Sequence, residues 1–146
     1  KQKEMVFHFR LTSVGRTCAE MTHPFRLVSQ SEVDPLEFAT RRPVLFHNGT
    51  VIGLGDAEKS DTFLLSRMLG ELYEHRLPIK DVVKILSLAS GSKFVLFSPK
   101  KMVLVGHFEE DDGCLFSNLH WKREGRVKVY WWWEVRNKRG GGWGWL

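Results

Sequence analysis

The chain has 146 residues, 42% of them hydrophobic and 27% charged, with a net charge of +5. That is the balance of one soluble globular domain with a sizeable core, and no apolar run approaches the ~18 residues needed to span a bilayer. The two cysteines, Cys18 and Cys114, exclude a disulfide framework and predict a reducing, cytoplasmic setting.

Residues 5–13 are rich in aromatic and β-branched types and predict a strand. Alternation puts Val6, His8, Arg10 and Thr12 on one face and Phe7, Phe9 and Leu11 on the other. A turn at Val14-Gly15-Arg16 leads through a loop to Thr22-His23-Pro24, where the proline holds His23 extended, and then to a short strand, Phe25-Arg26-Leu27-Val28. Residues 29–42 are polar and predict a loop, with a helical turn over 35–40. Val44-Leu45-Phe46 reads as a buried strand running into His47-Asn48-Gly49, and Asn-Gly predicts a tight hairpin turn with a short return over 51–54.

Ser60 suits an N-cap and Asp61 the first turn of a helix over 61–75, with Phe63, Leu64, Met68, Leu69, Leu72 and Tyr73 as its apolar face. Pro78 opens a second helix that runs to about residue 89 and ends in Ser90-Gly91-Ser92. Strands over 94–97 and 102–105 are joined by the turn Ser98-Pro99-Lys100-Lys101. Glu109-Glu110-Asp111-Asp112-Gly113 reads as a solvated acidic turn before a last strand over 114–117. Strands, two helices and hairpin-linked strands in that order predict an α+β class, with antiparallel sheets and helices packed on them.

Lys and Arg balance Asp and Glu over residues 1–120, so the whole +5 falls in residues 121–146, as do all six Trp. This break predicts a first domain over 1–120 and a basic, Trp-rich strand and tail over 121–146. Lys122, Arg123, Arg126, Lys128, Trp131, Trp132 and Trp133 put charge beside aromatic rings, a pairing suited to single-stranded nucleic acid. No phosphate-binding or dinucleotide glycine loop occurs. The six His and two Cys show no zinc-ligand spacing, so neither cofactor nor metal is expected. Cys18 lies near Arg16, which would favour a thiolate.

The motifs His8-Phe9-Arg10-Leu11-Thr12-Ser13-Val14-Gly15, His23-Pro24-Phe25, Phe46-His47-Asn48-Gly49, Ser60-Asp61-Thr62 and Gly113-Cys114-Leu115-Phe116-Ser117-Asn118 follow one another in a recognisable order. Over roughly residues 5–120 the chain resembles type-2 glutamine amidotransferase domains, which are N-terminal-nucleophile hydrolases with small stand-alone versions in phage and bacterial genomes. The resemblance implies layered antiparallel sheets with two packed helices, and glutamine as substrate. Arg10 matches the arginine that pairs with the glutamine α-carboxylate, and Asp61 the carboxylate that holds the α-ammonium. Ser13, His47 and Thr62 fall in the same substrate-binding motifs. Asn48 and Gly49 match the catalytic oxyanion pair, one through a side-chain amide and the other through a backbone N–H. Ser13-Val14-Gly15 departs from the family's usual Thr-x-Gly.

In the family the nucleophile is an N-terminal Cys whose own α-amine is the base. The chain begins at Lys1, and none of residues 1–9 is such a nucleophile. The expectation is therefore a domain incomplete at its start, which when complete hydrolyses glutamine and passes ammonia to an acceptor enzyme or domain. The alternative is a non-catalytic binding module of the same fold.

Overall fold

The computed structural model describes residues 4–123. They belong to two compact units, Lys1–Phe108 and Glu109–Leu146. The first unit holds β1 (Phe25–Arg26), β2 (Val44–Asn48), α1 (Asp61–Glu74), α2 (Ile79–Ser87), β3 (Lys93–Phe97) and β4 (Met102–Val105), with a short 3-10 turn at Ala19–Met21 before them. The four strands form one antiparallel sheet in the order β1-β2-β3-β4. The class is α+β, with both helices packed on one sheet.

The register explains the core. Leu45 pairs with Leu96 and His47 with Phe94, so these four side chains share a face. Leu45, Phe94 and Leu96 cluster with Leu65 and Leu69 of α1 and Val82 and Leu86 of α2, with Leu27 and Val105 closing the cluster. α1 forms where the pattern requires it. Ser60 Oγ accepts a hydrogen bond from Phe63 N at 3.2 Å, capping an orphan donor of the first turn. Gly70 lets the helix lie against the main chain of Val28, where a Cβ would collide with backbone atoms. Pro78 caps α2, and Val82 and Leu86, four apart, are its buried stripe.

Several expectations are corrected. Residues 5–11 form no strand and join no ladder among the described residues. Both edges of β2 are already taken, by β1 and β3. The alternation survives without the pairing: Val6, His8, Arg10 and Thr12 are half-buried, whereas Met5, Phe7, Phe9 and Leu11 are 72%, 71%, 92% and 94% exposed. For the same reason Asn48-Gly49 makes no hairpin, because an interior strand cannot fold back on its own edge. The chain instead crosses from β2 to α1 through a loop. On α1, Met68 and Leu72 lie outside the buried stripe and are 53% and 44% exposed. Residues 35–40 hold no helical turn, since this loop is tied down through side chains. Asp34 accepts from Arg26 N at 2.9 Å and Arg26 Nε at 2.7 Å, and lies 3.2 Å from Arg67 Nη2.

The second unit begins with β5 (Glu109–Asp111) and β6 (Cys114–Phe116), an antiparallel pair, followed by the short α3 (His120–Arg123). The acidic run is thus mostly strand. Only Asp112 and Gly113, at φ 49° and 72°, make the turn, as an Asp-Gly hairpin should.

Candidate functional site

The sheet delivers β2 to a junction with the start of α1, and the residues singled out from the sequence gather there. His47 is the last core-facing residue of β2, 4% exposed, stacked on Phe94 with ring centroids 4.3 Å apart. Its Nδ1 lies 2.8 Å from Thr62 Oγ1 and its Nε2 3.1 Å from Ser92 Oγ. Asn48 and Gly49 follow in the turn. Gly49 has φ 141°, and a Cβ there would sit 2.7 Å from Ser92 Oγ and 3.0 Å from His47 Nε2, so the position admits only glycine.

Asp61 faces the same loop from the helix side. It is 4% exposed. Its Oδ2 accepts from Val51 N at 2.6 Å, and its Oδ1 accepts from Thr62 N at 2.7 Å and Thr62 Oγ1 at 3.2 Å. The exit of the turn is therefore bonded directly to the first residue of α1. A carboxylate at a helix N-terminus also meets the positive end of the helix dipole.

Arg10 reaches this neighbourhood from the segment over residues 5–11. Its guanidinium donates to Val14 O at 3.1 Å and Arg16 O at 3.2 Å, stiffening the loop between them. That loop lies on the α1 start: a Cβ on Gly15 would stand 2.6 Å from Ser60 N, and Arg16 N donates to Glu58 O at 3.3 Å. Ser13 Oγ is 3.4 Å from Thr50 Oγ1. Arg10 and Asp61 are not bonded to each other: the guanidinium is held by the carbonyls of Val14 and Arg16, and the carboxylate by Val51 and Thr62.

Sequence reasoning missed two histidines as structural partners here. His8 Nε2 donates to His47 O at 3.0 Å, and the His8 and His23 rings pack at a 50° tilt with centroids 4.0 Å apart. Both His23 nitrogens and His8 Nδ1 are shielded from solvent and lack a hydrogen-bond partner among the described residues. Burial drives His23 from the ordinary 6.5 down to about 2, with His8, His47 and Arg10 adding repulsion. Burial likewise takes His47 down to about 4, against the pull of Asp61. His8 is lowered by burial, partly opposed by its bond to the His47 carbonyl. All three rings are neutral at pH 7. No spacing rule could have found the His47–Ser92 contact, because the pairing of Asn48 with Lys93 is what brings Ser92 to His47.

A cleft of about 510 Å³ lies at the other end of β2, beside Pro43, and none of these residues lines it. Among the described residues no cluster of His, Cys, Asp and Glu could hold a metal ion. Cys18 is packed against the cluster of Met21, Phe25 and Phe63. Of the basic aromatic set, Lys122 Nζ is bonded to both carboxylate oxygens of Asp111, at 2.7 and 2.9 Å. Arg126, Lys128, Trp131, Trp132 and Trp133 lie outside the described residues, and no described helix is long and apolar enough to cross a membrane. No protein-family model, no curated protein and no solved structure matches the chain.

Proposed function

We propose that this chain is a glutamine amidotransferase-like domain of the N-terminal-nucleophile hydrolase type, which binds glutamine for hydrolysis to glutamate and ammonia. One observation carries the reading. The Asn48-Gly49 turn, the Asp61 carboxylate and the Arg10 loop come from three distant stretches, and all meet at the junction of β2 and α1. Three of the five guanidinium N–H groups of Arg10 remain for a ligand carboxylate beyond its two loop bonds. Asp61, whose carboxylate accepts from Val51 N, Thr62 N and Thr62 Oγ1, would supply the negative charge for the α-ammonium. The Gly49 N–H and the Asn48 amide would then face the carbonyl oxygen on which charge develops.

Two further features support the layered fold. Phe46, Val95, Phe97, Met102 and Leu104 form a half-buried apolar face on the side of the sheet away from the helices. The row of Met5, Phe7, Phe9 and Leu11 is exposed. Apolar surfaces of this kind call for a second layer. The chemistry also needs a nucleophile about 3 Å from the carbonyl carbon with a base beside it. Cys18 is held in an apolar cluster, and Cys114 belongs to the other unit. Residues 4–123 are thus read as the binding half of the mechanism, and the non-catalytic reading is favoured for them when taken alone.

Titration calorimetry with glutamine, and with glutamate as control, tests this. Asp61→Asn keeps the acceptor for Thr62 and removes the charge, and should weaken glutamine binding by about 1–3 kcal/mol, or roughly 5- to 150-fold. No heat with millimolar glutamine, or equal affinity in the folded variant, refutes the assignment.

A further inference from the structure

With the His47 ring neutral, the hydrogen bonds around it have only one self-consistent proton arrangement that uses every contact. Asp61 Oδ1 is a pure acceptor, and it lies 3.2 Å from Thr62 Oγ1. A hydroxyl has one proton, so once Thr62 donates to Asp61 it can only accept at its 2.8 Å contact with His47 Nδ1. The imidazole proton is then on Nδ1. In a neutral ring Nε2 is left as a lone pair, which takes the Ser92 hydroxyl proton across 3.1 Å. The protons all point one way: from Ser92 to His47, to Thr62, to Asp61.

We propose that His47 and Thr62 are positioning residues that use this one-way chain to set the peptide plane of Gly49 against the start of α1; for glutamine binding the proposal rests on the reading above. Three observations support it. Gly49 lies so close to Ser92 Oγ and His47 Nε2, the two atoms joined at the head of the chain, that a Cβ there would stand 2.7 and 3.0 Å from them. The foot of the chain, Asp61, holds the far end of the same turn through Val51 N at 2.6 Å. The His47 ring cannot swing away, because it is stacked on Phe94 and is 4% exposed. One bonded series thus reaches the turn both beside Gly49 and at its exit. Reversing the series would put the proton on Nε2, aim Thr62 at His47, and leave Asp61 one donor short.

The experiment is nitrogen-detected NMR of the uniformly labelled full chain, with calorimetry on the same samples. Wild-type His47 should be protonated at Nδ1 between pH 6 and 8. Thr62→Val should move the proton to Nε2, shift the Gly49 amide resonance and weaken glutamine binding about 10-fold. Thr62→Ser should restore all three. Ser92→Ala should keep the proton on Nδ1, since its donor to Thr62 is untouched. A wild-type Nε2–H ring overturns the proposal, as does a Gly49 amide that stays in place in Thr62→Val. If Thr62→Val does not fold, the Ser92→Ala and wild-type spectra still decide the proton position. If the spectra behave as expected but wild type takes up no glutamine, the positioning role stands and the functional reading falls.

Discussion

His23 offers the sharpest test of the electrostatics at the junction. Its ring has no hydrogen-bond partner among the described residues and is packed against His8 at 4.0 Å and Phe25 at 4.9 Å. Its folded-state value of about 2, and that of about 4 at His47, both lie below the ordinary 6.5 of an unfolded chain. Between the two values the unfolded state binds more protons, so stability rises with pH. The contribution of each ring is fully present above pH 6.5 and is lost as the pH falls through the window below it. At ~1.4 kcal/mol per pH unit, acidification from pH 7 to pH 5 removes about 2 kcal/mol for each ring and about 4 kcal/mol for the two together. That is a large share of the 5–15 kcal/mol typical of a domain.

His23→Phe fills the same aromatic slot without a titrating group. It should cost nothing at pH 7, where it removes two unbonded nitrogens from the interior, and it should make the acid loss smaller than that of wild type by about 2 kcal/mol. Carboxylates elsewhere are common to both proteins and cancel in the comparison. Urea unfolding at pH 7, 6 and 5 reads the effect, with the m-value checking that the unfolded state is comparable. An equal acid loss in wild type and His23→Phe, or none in wild type, refutes the argument.

Asp34→Ala should destabilise the first unit by about 3–5 kcal/mol in urea melts, since it leaves the nearly buried Arg67 and the Arg26 guanidinium without their shared carboxylate. A loss under 1 kcal/mol would show that the pair is solvated. Gly70→Ala, a gain of about 1 kcal/mol in an open helix, should instead cost more than 2 kcal/mol because its Cβ meets the main chain of Val28. Thermal melts decide the sign, and a stabilised variant would refute the close packing of α1 on that strand exit.

Local signals were legible where local chemistry is decisive. Ser60 and Asp61 announced α1 because an N-cap hydroxyl and a first-turn carboxylate satisfy the helix's own orphan donors. Ser98 to Lys101 announced the β3–β4 hairpin for a similar reason, with Ser98 N bonded to Lys101 O at 3.0 Å. The antiparallel α+β class followed from the order of such elements. The alternation of residues 5–11 was also readable.

Strand pairing decided the rest, and it is not a local property. Asn48-Gly49 has the composition of a hairpin, yet β2 is flanked by β1 and β3, so its exit turn is spent on a crossing to α1. Residues 5–11 have the pattern of a strand, yet find no edge among the described residues. Glu109 to Asp111 look like a solvated turn, yet pair with Cys114 to Phe116. The bonds of His47 to Thr62 and Ser92 depend on a register 45 residues apart in the chain for the latter contact. A cap is chosen by atoms within one helical turn, whereas a ladder or a buried imidazole is chosen by whichever distant backbone reaches it first, and only the folded chain specifies that.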